Sequence, residues 1–190
     1  DKKIVSFLDI GGGLGITYKN EESADTKEIM NKVLERIKNL DFNLVTEPGR
    51  SIVGNAGLLL SEVEYIKETE TTNFAIIDAG MNDLMRPSLY SAWHKVSAVK
   101  KIEVPEKKYE IVGPVCESAD SLAKDRALKI EEGSLVVIHD VGAYGNVMTS
   151  NYNTRLRPPE ILVDESSVEV IKRRESFEEL ISLERISDEN

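Results

Sequence analysis

The chain is poor in sulfur, in imidazole and in long apolar runs. Its single cysteine, Cys116, excludes an internal disulfide framework, which fits a reducing compartment and a cytoplasmic location. Two histidines, His94 and His139, stand without a second metal-ligand candidate at useful spacing. Both read as structural residues inside strands, and no metal site is expected. No apolar run approaches the length of a membrane span, and no stretch reads as a secretory signal. Basic residues are the minority, 24 Lys and Arg against 34 Asp and Glu, for a net charge of −10. Nucleic acid needs a basic surface to neutralise its phosphates, so it is not an expected partner. The acidity gathers in residues 21–35 and 175–190, where a solvated face is the ordinary outcome.

What is present is an ordinary globular composition, 41% hydrophobic, with the material for one domain or two small ones. The chain opens on Asp1, yet residues 4–10 already read as a nearly all-apolar strand of the kind covered on both faces in a parallel sheet. A strand like that needs neighbours, and the expectation is a fragment with a large N-terminal part missing. A glycine turn follows, Gly11-Gly12-Gly13-Leu14-Gly15. Asp25 then caps a helix, with Glu28 as its capping-box partner. Ile29, Val33 and Ile37 recur on one face, widened by Met30, Leu34 and Leu40. Residues 44–46 form a short strand, which completes a βαβ unit with its right-handed crossover.

The pattern changes after residue 51. Residues 58–69, 74–78, 92–100, 109–115 and 135–141 read as strands separated by turn signals, which predicts an antiparallel sandwich or barrel. Residues 119–129 read as one short helix, 168–174 as a last strand and 177–186 as a short helix or tail. The expected division is 1–56 and 57–190.

Five polar loops carry the candidate chemistry. The glycine turn lies between strand and helix, where close backbone approach favours an anion. It lacks the dinucleotide spacing, since Ile16 stands where a third glycine is needed, and it lacks a P-loop lysine. A single phosphate fits it, and a plain tight turn accounts for it as well. Glu47-Pro48-Gly49-Arg50 follows the next strand and would open onto the same sheet edge. In residues 81–90, Arg86 and Tyr90 lie four apart, and arginine suits bidentate recognition of a carboxylate. Tyr144 stands between Gly142 and Gly145 and could lean on a planar ring. Gly113-Pro114-Val115-Cys116-Glu117 joins the lone thiol to a carboxylate, a proton donor beside a holder of cations. Each loop also has a bland reading: an ion pair at a turn, a solvated hairpin, a surface turn or a small buried thiol.

Taken together, these motifs resemble the diaminopimelate decarboxylases, in the same order along nearly the whole chain. The motifs are Asp-Ile-Gly-Gly-Gly-Leu-Gly at 9–15, Glu-Pro-Gly-Arg at 47–50, Asp-Ala-Gly-Met-Asn-Asp-Leu-Met-Arg-Pro-Ser-Leu-Tyr at 78–90, Gly-Pro-Val-Cys-Glu-Ser-Ala-Asp at 113–120 and Gly-Ala-Tyr-Gly at 142–145. Residues 151–160 also look like the family's C-terminal region. The resemblance implies an alanine-racemase-type architecture, with the last βα units of a (β/α)8 barrel followed by a β domain. It implies pyridoxal 5'-phosphate as cofactor and conversion of meso-2,6-diaminopimelate to L-lysine and CO2. No lysine here matches the one that the family links to its cofactor, so this chain alone is expected to be inactive.

By the same resemblance, Gly13, Pro48, Gly49 and Arg50 would bind the cofactor's phosphate, and Glu47 its ring nitrogen. Arg50, Arg86 and Tyr90 would take the distal carboxylate of the amino-acid substrate, and Glu117 its distal ammonium. Tyr144 would touch cofactor and substrate, and Cys116 would donate the proton. The family shares its active sites across a homodimer, with the Cys-Glu loop completing the partner's site. Two alternatives stay open: a decarboxylase of the same fold acting on ornithine, arginine or a polyamine precursor, and a non-catalytic relative.

Overall fold

The computed structural model describes residues 5–22 and 25–185. Strand β1 (Phe7–Asp9) pairs in parallel with β2 (Asn43–Val45), with Leu8 opposite Leu44. Between them runs helix α1 (Thr26–Ile37). Asp25 caps it as expected, accepting from the backbone N–H of Lys27 at 2.8 Å and of Glu28 at 3.4 Å. The Glu28 carboxylate does not complete the capping box. It pairs with Lys32 one turn on, at 2.5 Å, where opposite charges four apart meet on one face. The expectation of a strand covered on both faces is not met within this chain. Phe7 is 65% exposed, because a sheet of two strands offers nothing to cover it. Ile4, the first residue of that expected strand, lies outside the described residues.

A short helix, α2 (Arg50–Val53), leads into the main sheet. That sheet contains β3 (Leu58–Glu68), β4 (Asn73–Ile77), β5 (Val96–Ala98), β6 (Lys107–Val112), β7 (Ser121–Leu128) and β8 (Leu135–His139), in the order β5-β8-β3-β4-β6-β7. Most neighbours are antiparallel, as expected, but β4 and β6 run parallel, with Ala75 opposite Ile111. The 78–90 loop, helix α3 (Arg86–Tyr90) and β5 form the long connection that lets β6 return beside β4 in the same direction. The two edge strands approach one another. Arg126 of β7 donates to the carbonyl of His94, just before β5, at 2.9 Å. The result is one nearly closed mixed sheet rather than two stacked ones. Its interior is filled by Val63, Ile77, Ile111, Leu122, Val136 and Ile138, the alternate positions that point inward.

Three sequence expectations change. The expected helix over residues 119–129 is instead strand β7, Ser121–Leu128. Its alternation breaks at Asp125, whose φ is +56°, and that irregularity made the apolar spacing resemble a helical one. The 92–100 segment contributes only the three residues of β5, and His94 precedes them in a loop. Strand β9 (Glu160–Asp164), hidden behind Pro158-Pro159, pairs antiparallel with β10 (Ser167–Lys172). Helix α4 (Phe177–Leu180) is closed by a full capping box between Ser176 and Glu179. Ile186, at the end of the expected C-terminal helix, lies outside the described residues.

One close approach seats the Tyr144 loop against α2. The Val141 N–H donates to Gly57 O at 3.0 Å and the Gly142 N–H to Gly54 O at 3.1 Å. A Cβ on Gly142 would overlap the carbonyl oxygen of Val53. Gly142→Ala is therefore expected to destabilise the fold by about 1–3 kcal/mol, the cost of forcing backbones apart. Urea unfolding checks this, and an unshifted midpoint would show that the seam yields freely.

Candidate functional site

The parallel pairing of β1 with β2 brings the glycine turn and the Glu47–Arg50 corner to one edge. The Glu47 N–H donates to Gly11 O at 2.8 Å, and Gly11 N–H donates to the Asp9 carboxylate at 2.7 Å. A Cβ on Gly12 would overlap the Glu47 carbonyl oxygen, so the close approach needs glycine there. Gly13 has φ +81° and open space on its Cβ side, so its turn is bare toward solvent. Tyr144 reaches the same corner. A Cβ on Gly49 would lie 3.6 Å from the Tyr144 hydroxyl, and the Arg50 guanidinium sits 5.6 Å from the Tyr144 ring centre. Tyr144 has φ +59°, a left-handed backbone that is costly for an aromatic residue and is found where surroundings dictate it.

Arg50 also faces the ring of Tyr18, at 5.6 Å, and Arg86 faces that ring at 4.8 Å. Two cations thus share one aromatic face system. Arg86 is 6% exposed. Its Nη1 lies 2.9 Å from the Tyr18 hydroxyl and 3.0 Å from Nε2 of His94. Among the described residues no carboxylate pairs with it. The reading of Arg86 as a solvated hairpin residue is thereby excluded. Tyr90, at the other end of α3, is 63% exposed and makes no hydrogen bond to Arg86.

The Cys116–Glu117 loop forms a second group. Cys116 is exposed. The Tyr152 hydroxyl lies 3.3 Å from the Glu117 carboxylate, and that negative charge holds the Tyr152 phenol above its ordinary value. The loop is anchored by Asp120, 4% exposed, which accepts from the N–H of Met81 at 2.6 Å and of Val115 at 2.7 Å. Burial pushes the Asp120 carboxyl up, against the pull of those two N–H groups and of Arg155. Ser88 adds a bond to Ala119 O at 2.6 Å. Arg155 clasps the start of the neighbouring loop through Asn82 at 2.9 Å and the carbonyl of Asp78 at 2.6 Å. None of the hydrogen bonds of Cys116 or Glu117 reaches Gly13, Glu47, Arg50 or Arg86. Contacts thus run from the glycine turn through Glu47–Arg50 to Tyr144 and, across the Tyr18 ring, to Arg86, while Cys116 and Glu117 stand on an exposed loop tied to Met81, Ser88 and Tyr152.

Sequence reasoning missed Tyr18, Asp120, Tyr152 and Arg155 as parts of these groups and read His94 as structural. Tyr18 carried no signal beyond following the glycine turn. Asp120 did carry one, since it closes the octapeptide that begins at Gly113. Among the described residues no group of three acidic, His or Cys side chains could hold a metal ion, and no helix is long and apolar enough to cross a membrane.

Residues 8–142 match the family described as pyridoxal-dependent decarboxylase, C-terminal sheet domain. Diaminopimelate decarboxylase from Pseudomonas aeruginosa is 49% identical over 96% of this chain and 44% of its own length. The enzyme of that name from Pseudomonas fluorescens is 50% identical over the same shares. The crystal structure of diaminopimelate decarboxylase from Helicobacter pylori complexed with L-lysine superposes with a TM-score of 0.88 at 41% identity, covering 94% of this chain and 44% of that one. The chain thus spans less than half the length of these relatives.

His94 generates a pH dependence. Burial lowers its pKa first, and the Arg86 and Arg126 cations add to that, against the His139 carbonyl and Asp140; the Tyr18 ring edge packs beside it. The fold favours the neutral ring, so its stabilisation is full above the ordinary histidine value. It is lost as pH falls from there toward the depressed folded value. Stability is expected to decline over that window by up to about 1.4 kcal/mol per pH unit. His94→Gln should flatten the slope in denaturation series from pH 7.5 to 5, and an unchanged slope would assign the proton elsewhere.

Proposed function

The chain belongs to the pyridoxal-dependent decarboxylase family, and from that premise we propose that it is the C-terminal portion of a diaminopimelate decarboxylase. The whole protein would bind pyridoxal 5'-phosphate and convert meso-2,6-diaminopimelate to L-lysine and CO2. Residues 1–56 would end its barrel, and 57–190 would form its β domain. The observation that carries the reading is Arg86, a buried guanidinium with no carboxylate partner among the described residues. Leaving such a charge buried and unpaired is costly, so the site calls for an anion. Diaminopimelate ends in a carboxylate, whereas ornithine and the polyamine precursors end in cations.

The corner fits the cofactor. Glycine is required at Gly12 for the Glu47 backbone to approach, and the Gly13 turn opens into free space. The backbone N–H groups of Gly13, Gly49 and Arg50 would hold the phosphate, with Pro48 stiffening the corner. Glu47 would keep a proton at the ring nitrogen. When bound, the cofactor supplies an electron sink for the pair left on carbon as CO2 departs. Arg50 and Arg86 would hold the distal carboxylate with Tyr90 as hydrogen-bond partner, and Glu117 the distal ammonium. Tyr144, fixed over Arg50, would bound the site on the side facing cofactor and substrate. The Cys116 thiol would give its proton to the carbon that lost CO2, a general-acid role. By the family resemblance the Cys116 loop would complete the partner's site in a homodimer, and the exposure of Cys116 supports that reading.

The test is turnover by the complete protein. It should release CO2 from meso-2,6-diaminopimelate and not from ornithine, and Cys116→Ala should lower kcat by about 100-fold or more. Cys116→Ala subunits mixed with subunits lacking the cofactor-linked lysine should regain activity. Preference for ornithine would overturn the substrate, and absence of any recovery would overturn the shared site.

A further inference from the structure

Arg86 is gripped from one side only, and the chemistry of its two partners dictates which side stays free. His94 is fully buried, and its Nδ1 lies 2.9 Å from the carbonyl oxygen of His139. A carbonyl only accepts, so Nδ1 carries the hydrogen, and in the neutral ring the lone pair is then on Nε2. That lone pair faces Nη1 of Arg86 at 3.0 Å. The Tyr18 hydroxyl takes the other Nη1 hydrogen at 2.9 Å. Nη1 has two hydrogens, and both are engaged. The edge formed by Nε and Nη2 remains, and that edge offers the parallel pair of N–H groups that matches a carboxylate.

We propose, resting on the reading of Arg86 as the receptor for the distal carboxylate, that His94 and Tyr18 are positioning residues that clamp Nη1 and present the Nε–Nη2 edge to the substrate. The clamp is itself braced. Arg126 donates to the His94 carbonyl at 2.9 and 3.2 Å and lies 4.6 Å from the ring centre of Trp93. On the far side, Ser97 Oγ lies 2.7 Å from Nε2 of His139, whose carbonyl receives His94. Burial and the Arg86 and Arg126 cations hold His94 neutral, against Asp140 and the His139 carbonyl. A protonated ring would turn a donor toward a donor and release the clamp. Because the edge is fixed before the ligand arrives, the carboxylate meets a receptor already oriented, and a ligand without that carboxylate leaves a buried cation unanswered.

The experiment uses the complete protein and two competitive inhibitors of matched length, L-lysine, which has a carboxylate, and cadaverine, which lacks one. His94→Asn keeps a donor for the His139 carbonyl and removes the acceptor for Arg86. His94→Gln reaches far enough to restore that acceptor. Tyr18→Phe removes a single oxygen. His94→Asn should weaken L-lysine about tenfold, and Tyr18→Phe about threefold, the range for losing one typical hydrogen bond. Cadaverine inhibition, kcat and the cofactor's absorbance should stay within about twofold, and His94→Gln should recover most of the L-lysine affinity. Equal weakening of both inhibitors, or no change in either, would overturn the clamp. Where His94→Asn does not fold, Tyr18→Phe decides alone by the same split. Arg86→Ala separates the two levels. If it loses L-lysine selectively while the clamp variants do not, only the clamp falls. If it too fails to discriminate, the reading of Arg86 falls and takes the clamp with it.

Discussion

A buried guanidinium sets the terms for the rest of this chain. Arg86 is removed from water, and its only partners among the described residues are a phenol and an imidazole, both neutral. Neutral acceptors replace lost hydration but do not cancel charge. The surroundings answer with more positive charge, since Arg50 shares the Tyr18 ring and Arg126 lies behind His94. A concentration of cations that is stable without a ligand is one in which aromatic faces and carbonyls carry the load. Arg50 also joins this group to the corner on which the glycine turn packs, since Gly12 lies against the Glu47 carbonyl. The phosphate and the distal carboxylate of the proposed ligands would both suit that arrangement.

The motifs were legible in the sequence because turns need particular residues at particular places. Gly12, Gly142 and the Glu47–Arg50 corner announce themselves through glycine and proline, and the parallel β1–β2 pair brings two of them together as a βαβ unit must. Asp25 as helix cap was legible for the same reason. What was not legible depended on contacts distant in sequence. Tyr18 and Arg86 are 68 residues apart, and His94 and His139 are 45 apart, so no local pattern links them. Strand β7 was obscured by the irregularity at Asp125, and β9 by two prolines and a surface of exposed apolar residues. The parallel β4–β6 pairing was hidden because topology depends on where a long connection travels, not on the composition of the strands it joins.

The second polar group is built on a different principle. Asp120 is held by backbone N–H groups from two loops, so one buried carboxyl ties residues 113–120 to residues 78–90. A Cβ on Gly113 would overlap that carboxyl, which explains why the turn before the cysteine is glycine. The anchor is buried, and the Cys116 and Glu117 side chains are exposed. Glu117 is steadied by Tyr152, while Cys116 remains exposed.

These two designs suit two different tasks. Recognition of a carboxylate gains from rigidity, because ordering cost is met during folding and not during binding. Arg86 is held in that way at Nη1, by Tyr18 and His94. The proton delivery proposed for Cys116 needs a group that can exchange its proton with solvent, which a thiol enclosed permanently could not do. Cys116 has that access, exposed on a loop anchored at Asp120. The chain therefore separates what must be held from what must be supplied. Arg86 is enclosed beside Tyr18 and His94, whereas the Cys116 thiol stands open to solvent, where a second molecule can reach it.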